Sequence, residues 1–343
     1  QWAAASLDNL QFETKVEAVH FRENCFEVHH NSGVSYAKNL SIGTGLSPNI
    51  PDFAQPFLGK QVFHAINYLL KIPQMSGKKV TVIGGGQSGA EVIRRLIADH
   101  DALPQQINWV TRRGNFFPID DSPFVNEFFF PPYSEYFFNL PGPQKKEINK
   151  VNLLASDGIS MDLLEMIYRE LYEIECLEGR GKICRFFPEH AVFAMKSQGE
   201  QLHLSCQDSG LSKVGNLQSD VVILATGFAY KIPGFFSPLL DHLDQKEGKF
   251  SLNRDFSIPW NGPQGHKVFL LNGCRHTRGV ADPNLSLLSY RSAMVVNSLL
   301  GRQVYDLEGE SAALEWPAPV PAQSFSSSNG ASLSAQDFHF KTN

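Results

Sequence analysis

Short runs of apolar, often β-branched residues separated by turn residues predict strands in the first part of the chain. Residues 11–18, 25–30 and 40–43 have this pattern, and the Asn-Ser-Gly sequence at 31–33 is typical of a hairpin turn. A further buried-type run at 266–273 predicts another strand. The pattern therefore favours a β-rich beginning and a strand near the other end.

Two of the predicted strands end in nearly the same residues. The strand at 40–43 runs into Gly43-Thr44-Gly45, and a buried run at 219–227 ends in Ala225-Thr226-Gly227. The segment between them, roughly 77–230, is bracketed by matching strand endings. This arrangement predicts that one domain is inserted into another.

The bracketed segment begins with a nucleotide-binding pattern. Residues 80–83 suit a buried parallel strand, and a helical pattern starts at Ala90. Between them the sequence fits G-x-G-x-x-G, whose glycines allow a tight turn, bring backbone N–H groups to a pyrophosphate and let the helix pack on the strand. The predicted nucleotide contacts are Gly84, Gly86, Gln87, Ser88 and Gly89.

The next predicted strand, at 107–114, indicates which nucleotide binds. NAD-dependent enzymes usually place an Asp or Glu near the end of this strand, where it holds the ribose 2′-hydroxyl. This chain has Arg112 and Arg113 there, which suit a 2′-phosphate. The pattern favours NADPH over NADH, with two solvated surface arginines as the alternative interpretation.

Helical periodicity marks two further segments. Between 160 and 177 the apolar residues recur on one face, which predicts a helix packed on a core, with Ser160 as its cap. Near the other end of the chain, Asp282 and Pro283 fit the cap and first position of a helix that Gly301 would end.

Composition and charge narrow the class of protein. The 343 residues are 42% hydrophobic and carry a formal net charge of −5 without a basic run, which argues against nucleic acid or an anionic membrane as partner. No apolar stretch reaches the about 18 residues of a membrane span and no secretory signal is visible, so a cytoplasmic protein is expected. The five cysteines form no C-x-x-C or zinc-like spacing, so no metal site is predicted. Homo-oligomer formation is left open.

These patterns predict an α/β fold with two dinucleotide-binding, Rossmann-like domains, the NADPH domain being inserted in an FAD domain as in many flavin reductases and monooxygenases. No strand–GxGxxG–helix fits before Gly45, where a βαβ unit would need about 30 residues, and the chain begins with Gln1. We therefore expect the N-terminal part of the FAD domain to be missing and the 343-residue chain not to retain FAD. The predicted division is 1–70, the end of the first FAD-domain segment and a linker; 71–230, the NADPH-binding domain; 231–305, the returning FAD and substrate segment; and 306–343, a mobile tail.

Four longer motifs resemble one enzyme family. They are DDSPFVNEFFFPPY at 120–133, SDGIS at 156–160, ILATGFAY at 223–230 and GVADPNLSLLSYRSA at 279–293. Through them the chain closely resembles the lysine 6-monooxygenase / ornithine 5-monooxygenase family, the N-hydroxylating flavoproteins that start hydroxamate siderophore synthesis. Arg278 departs from the family pattern, which more often has His before this glycine.

The resemblance implies a reaction as well as a fold. NADPH reduces FAD, O₂ adds to give a C4a-hydroperoxyflavin, and the terminal amine of the substrate takes up the distal oxygen. Only a neutral amine can do so, whereas a free lysine-type amine has a pKa near about 10.4, so the site must favour loss of its proton. The expected substrate is L-lysine or a related diamine, with L-ornithine as the alternative.

The resemblance also implies site residues. Asn126 matches a family Asn that contacts the substrate amine and the nicotinamide side, and Ser286 matches a Ser near substrate and flavin. Asp157 stands where ornithine-specific members have Asn; its carboxylate could hold an ammonium group, or Ser-Asp-Gly could simply form a turn. Further cofactor contacts are expected at Thr226, Gly227, Asp282, Asn284 and Leu285.

Two functions from other classes remain as alternatives. A disulfide reductase has the same two-domain plan, but the chain lacks the C-x-x-C that such an enzyme needs. A non-catalytic NADPH-binding fragment would need only the inserted domain.

Overall fold

Strands and short helices alternate along the part of the chain that the computed structural model describes, which is residues 2–71, 75–307, 309 and 312–317. The strands in this part are β1 Val16–Arg22, β2 Cys25–His30, β3 Gly33–Ala37, β4 Leu40–Ile42, β5 Ser47–Pro48, β6 Val62–His64, β7 Lys79–Ile83, β8 Gln106–Val110, β9 Cys184–Phe187, β10 His190–Gln198, β11 Gln201–Asp208, β12 Val214–Ser219, β13 Val221–Leu224, β14 Phe228–Ala229, β15 Gln245–Lys246, β16 Lys249–Phe250 and β17 Val268–Leu270. The α-helices are α1 Trp2–Ser6, α2 Gln87–Ile97, α3 Pro123–Asn126, α4 Pro131–Asn139, α5 Gly142–Val151, α6 Leu154–Asp157, α7 Met161–Tyr172, α8 Arg275–Arg278 and α9 Leu288–Leu300.

A five-stranded parallel sheet in the order β6-β13-β7-β8-β9 forms the centre of the bracketed segment. All four residues of β13 and the last four of β7 are buried, as expected of parallel strands covered on both faces. Helices α2 and α7 pack on one face, and the antiparallel sheet β10-β11-β12 covers the other. This sheet therefore has its own core, separate from the rest of the chain.

The two matching strand endings lie beside each other. β5, which follows the first ending, pairs with β14, which follows the second. The hydroxyl of Thr226 donates to the carbonyl oxygen of Asn49 at 2.5 Å. The chain thus enters and leaves the central sheet at one place, as an inserted domain requires. The sheet also includes β6, whose residues precede the predicted domain start at 71.

A second core lies outside the parallel sheet. β4 and β17 form a parallel pair although they are far apart in the sequence, and β1-β2-β3 form an antiparallel sheet. Buried aromatic and aliphatic side chains from these strands, from α9 and from the segment 234–258 fill the space between them. Since β4 and β17 flank the inserted sheet in the sequence, this core closes around the insertion.

The first strand and the last helix differ from their predictions. The strand runs from Val16 to Arg22 rather than over 11–18, because Glu13 has a φ of 53° and interrupts the extended backbone. The helix predicted from Asp282 begins only at Leu288, since the Asp282 carboxylate is buried and accepts the N–H of Cys274 instead of capping. Its predicted end at Gly301 is confirmed by a left-handed φ of 61° there.

Part of the predicted tail packs on the rest of the molecule. The ring of Trp316 stacks on that of Tyr136, with centroids 5.4 Å apart, and also contacts Tyr133. The N–H of Ala313 donates to the carboxylate of Glu127 at 2.8 Å. Ala313 and Trp316 of the predicted tail therefore contact the rest of the chain, whereas residues 308, 310, 311 and 318–343 lie outside the described residues.

The helices are short in the part of the chain that is described. The longest, α9, has 13 residues. None of them is long and apolar enough to cross a membrane.

One carboxylate joins α9 to the neighbouring strand region. Asp255 accepts hydrogen bonds from Lys267, at 2.8 Å, and from the hydroxyls of Ser257 and Ser298. Burial by itself would raise the pKa of Asp255, but the three side-chain hydrogen bonds outweigh it and hold the pKa at about 2.

This depressed pKa makes part of the stability pH-dependent. Asp255 should stabilise the fold fully above its unfolded pKa of about 3.9, and the contribution should disappear as the pH falls through about 2. We expect the free energy of unfolding of the native chain to exceed that of Asp255→Asn by about 2 kcal/mol more at pH 5 than at pH 2, as measured by urea denaturation. A difference that does not change with pH would contradict this.

Candidate active site

The Gly-rich loop after β7 has the geometry expected of a nucleotide-binding turn. Gly84 has a φ of 132°, and a Cβ there would lie 1.9 Å from the carbonyl oxygen of Ala225. A Cβ on Gly89 would lie 2.2 Å from the oxygen of Gly84, so this glycine permits close packing of α2. At Gly86 the nearest atom would be 3.6 Å away, which leaves the backbone open toward a ligand.

A fourth glycine in this loop was not singled out in the sequence. A Cβ on Gly85 would lie 2.5 Å from the Oγ1 of Thr111, which follows β8. The Gly-Gly-Gly sequence was a visible signal, but the reason for its middle residue is a contact with the neighbouring strand.

The first turn of α2 combines free backbone groups with an engaged side chain. No side chain caps the N-terminus of this 11-residue helix, so its first N–H groups, near Gln87 and Ser88, can meet a phosphate. The side-chain oxygen of Gln87 accepts the N–H of Ser160 at 2.9 Å. Ser160 itself makes no side-chain cap on α7, contrary to the prediction.

The two arginines after β8 lie in different surroundings. Arg112 is exposed, and within the described part of the chain its guanidinium makes no hydrogen bond or ion pair. Arg113 is half-buried, and its Nη1 donates to the carbonyl oxygen of Asp157 at 2.6 Å and to that of Gly85 at 3.5 Å. Among the described residues, the whole guanidinium of Arg112 is therefore free to meet a 2′-phosphate, whereas Nη1 of Arg113 is already engaged.

Thr226 and Gly227 form the hydrogen bonds that hold the two matching strand endings side by side. The carbonyl oxygen of Gly227 accepts from the ring Nε2 of His64 at 3.0 Å and from the N–H of Asn49 at 2.9 Å. Burial lowers the pKa of His64, so its ring is neutral and Nδ1 can accept the N–H of Ile66. The side chain of Thr226 and the carbonyl of Gly227 thus serve the fold, whatever contact their backbone makes with a cofactor.

Three of the predicted site residues meet in one cavity. Its volume is about 540 Å³, and Asn126, Asn284 and Ser286 all line it. Apolar groups form much of its wall: Ile119, Phe129, Phe130, Pro131 and Ala155. Asn126 and Ser286 are 160 positions apart in the numbering, so the fold alone brings them together.

Asn126 is held so that one polar atom remains available. Its side-chain Nδ2 donates to the carbonyl oxygen of Asp121 at 2.9 Å, and its backbone N–H donates to Ser122. Among the described residues, no group donates to its Oδ1. This oxygen is an acceptor that an amine N–H can use.

Asp157 does not line the cavity, and its carboxylate already has a cationic partner. Nη1 of Arg275 lies 3.3 Å from its Oδ2. The side-chain Nδ2 of Asn149 donates to the backbone carbonyl oxygen of Arg275 at 3.1 Å and so helps to hold Arg275 in place. The role of Asp157 as an ammonium-binding group is therefore not supported, because Arg275 already neutralises it.

The segment 282–286 contains one buried and several exposed predicted residues. Asp282 is 1% exposed; one carboxylate oxygen accepts the N–H of Cys274 at 2.7 Å, and the other has no partner among the described residues. Burial raises the pKa of Asp282, against the opposing effect of Arg291. Leu285 is exposed, and the side chain of Asn284 caps the N–H of Ser286 at 2.9 Å.

The sequence did not reveal Tyr290 as part of the cavity wall. Its hydroxyl donates to Glu135 at 3.1 Å, and burial together with Glu135 raises the pKa of Tyr290, which keeps the phenol neutral. Glu135 also pairs with the fully buried Arg278 at 2.7 Å.

Across the described residues, no group of three His, Cys, Asp or Glu side chains is placed to hold a metal ion.

Comparison with known proteins identifies the family. The profile described as L-lysine 6-monooxygenase/L-ornithine 5-monooxygenase matches residues 1–230. L-lysine N6-monooxygenase of Escherichia coli is 33% identical over 92% of this chain and 75% of its own length, and putrescine N-hydroxylase of Acinetobacter baumannii is 31% identical over 90% and 69%. The FAD-bound cadaverine monooxygenase of the desferrioxamine biosynthetic pathway of Erwinia amylovora superposes with a TM-score of 0.84 at 29% identity, covering 94% of this chain and 76% of that one.

The chain therefore belongs to the L-lysine 6-monooxygenase/L-ornithine 5-monooxygenase family. Both the predicted family and the predicted fold class, an α/β fold built on dinucleotide-binding domains, are confirmed. The disulfide reductase alternative is set aside.

Substitution by alanine should have different effects at Gly84 and at Gly86 of the Gly-rich loop, because only Gly84 is in close contact with other backbone atoms. Gly84→Ala should lower the free energy of unfolding by about 2 kcal/mol or more, because its Cβ meets the backbone at Ala225 and its φ is strained for alanine. Gly86→Ala, which meets nothing closer than 3.6 Å, should cost less than about 1 kcal/mol and weaken NADPH binding instead. Chemical denaturation and nucleotide titration check this, and equal loss of stability in both variants would contradict it.

Proposed function

We propose that this chain acts in the N-hydroxylation of the terminal amine of L-lysine or a related diamine, a reaction that uses NADPH, FAD and O₂, in hydroxamate siderophore biosynthesis. The observation that carries the proposal is the cavity that brings Asn126, Asn284 and Ser286 together in a member of this family. The relatives named above act on lysine, putrescine and cadaverine, so the shared chemistry is hydroxylation of a primary aliphatic amine.

The Gly-rich loop fits NADPH. The open backbone at Gly86 and the uncapped N-terminus of α2 suit a pyrophosphate, and the guanidinium of Arg112, which has no partner among the described residues, suits the 2′-phosphate.

The returning segment fits FAD. Asp282 lies in the segment that follows β17 in the chain, and one of its buried carboxylate oxygens has no hydrogen-bond partner among the described residues. Ligands of such folds bind beyond the carboxyl ends of parallel strands. Asp282, Asn284 and Leu285 are the residues of this segment that would hold the cofactor. When bound, FAD supplies the oxygen chemistry, while the protein supplies orientation.

The cavity favours a neutral amine. The apolar part of its wall disfavours a charged ammonium, in contrast to Asp121, which also lines the cavity, and the Oδ1 of Asn126 can accept an N–H of the bound amine. Burial against the apolar wall lowers the pKa of the bound amine, while the Oδ1 of Asn126 orients it. The preference for lysine or a diamine over ornithine rests on the relatives, since the carboxylate of Asp157 is paired with Arg275.

Loss of Arg112 should remove the nucleotide preference. NADPH should bind the 343-residue chain more tightly than NADH, and Arg112→Met should cancel about 1–3 kcal/mol of that difference, the scale of a hydrogen bond to a charged group. Titration calorimetry with both nucleotides measures this, with the exposed Arg302→Met as a matched control. Equal affinities of the unaltered chain for NADPH and NADH would contradict the assignment.

Loss of Asn126 should uncouple the reaction. In the FAD-loaded enzyme, Asn126→Ala should still oxidise NADPH but release H₂O₂ in place of hydroxylated amine, because flavin reduction does not need the amine to be held. NADPH consumption, H₂O₂ and hydroxylamine product are measured with lysine, cadaverine, putrescine and ornithine, with Asn216→Ala in β12 as the control. Fully coupled hydroxylation by Asn126→Ala would remove Asn126 from the mechanism, and a preference for ornithine would correct the substrate.

A further inference from the structure

The two arginines after β8 differ in their hydrogen bonding. Arg112 is exposed and unengaged within the described residues, whereas Nη1 of Arg113 lies 2.6 Å from the carbonyl oxygen of Asp157 and 3.5 Å from that of Gly85. A guanidinium has donors only, so its bonds to carbonyl oxygens are well matched. Turning Arg113 toward a nucleotide would leave the half-buried carbonyl of Asp157 without this donor, which costs free energy.

The carbonyl that Arg113 holds belongs to a segment between two sites, residues 154–160, which we call the linking segment. On one side, this segment touches the Gly-rich loop. The position of a Cβ on Gly86 is 3.6 Å from the oxygen of Asp157, and the N–H of Ser160 donates to Gln87 at 2.9 Å. Arg113 and Gln87 therefore fasten the linking segment to the nucleotide loop at two points.

On its other side, the linking segment supports the cavity lined by Asn126, Asn284 and Ser286, which we call the amine cavity. The N–H of Ile119 donates to the carbonyl of Ile159 at 2.8 Å, and a Cβ on Gly158 would lie 2.2 Å from the Cα of Ile119, so the two backbones are in direct contact. Ile119 and Ala155 both line the cavity. A displacement of the linking segment must therefore move the cavity wall as well.

We propose that Arg113 is a positioning residue that fixes the amine cavity relative to the nucleotide loop, and that Arg112 alone reads the 2′-phosphate. The inference rests on the proposed function for its substrates, but its central contact lies within this chain. Without Arg113, the linking segment keeps only the hydrogen bond between Ser160 and Gln87, so the cavity wall at Ile119 and Ala155 is fixed less firmly relative to the bound nucleotide.

The test compares Arg113→Met and Arg113→Lys with Arg112→Met. We expect Arg113→Met to keep the ratio of NADPH to NADH affinities within about twofold of the unaltered chain, whereas Arg112→Met brings the ratio close to one. In the FAD-loaded enzyme, Arg113→Met should lower kcat/KM for the amine about tenfold or more and leave the KM for NADPH within about threefold. Arg113→Lys, which retains one donor, should recover part of the amine kcat/KM.

A second measurement needs neither cofactor nor substrate. Amide hydrogen exchange of the nucleotide-free, 343-residue chain should accelerate at Ile119, Ile159 and Ser160 in Arg113→Met and stay unchanged in Arg112→Met. If Arg113→Met does not fold, Arg113→Lys serves for both measurements.

The outcomes separate this inference from the proposed function. Loss of the NADPH preference in Arg113→Met, or unchanged exchange together with unchanged amine kinetics, would overturn the positioning role. Failure of the unaltered FAD-loaded enzyme to hydroxylate any amine would instead overturn the proposed function, and the exchange result would still decide whether Arg113 holds the linking segment.

Discussion

The contact between the turn after β7 and the end of β13 fixes the position of everything that follows. Gly84 packs so closely on Ala225 that no side chain fits between them, and the indole N–H of Trp109 donates to the oxygen of Gly84 at 2.8 Å. These contacts bring the ends of β13, β7 and β8 to one edge of the sheet. The Gly-rich loop, the arginines and the crossing point of the chain are consequently close neighbours.

On the other side of the cavity, a buried ion pair fixes the relative position of two helices. Arg278 is fully buried, lies between the rings of Phe138 and Phe256 at 4.2 Å from each centroid, and pairs with Glu135. A buried ion pair of this kind adds little net stability, but removing one partner leaves an uncompensated charge. Its effect is therefore to fix α4 relative to α8, and with α4 the hydroxyl of Tyr290 at the cavity.

The nucleotide loop and the cavity that we propose as the amine site are physically continuous. The linking segment touches Gly86 on one side and Ile119 on the other, while the Asp157 carboxylate reaches Arg275 at the start of α8. A reaction that needs a nucleotide and an amine in a defined relation benefits from one rigid element that contacts both sites. This arrangement explains why Asp157 has a structural role although it does not line the cavity.

The sequence by itself determined the features that depend on neighbours in the chain. The strand before the Gly-rich loop, the loop, the core face of α7 and the end of α9 at Gly301 all follow from local periodicity and from backbone conformations that favour glycine. The longer motifs indicated the family and, through it, Asn126 and Ser286 as site residues. Their meeting in one cavity still required the fold.

Only the tertiary structure decided the roles that depend on distant partners. Adjacent in sequence, Arg112 and Arg113 look equivalent, but Arg113 donates to the carbonyl oxygens of Asp157, 44 positions away, and of Gly85. Asp157 reads as a free carboxylate until Arg275, 118 positions away, is placed beside it. Asp282 reads as a helix cap until burial against Cys274 assigns it another role. The physical reason is common to all three, because the hydrogen bonds and charges that define a polar side chain come from residues that local sequence patterns do not contain.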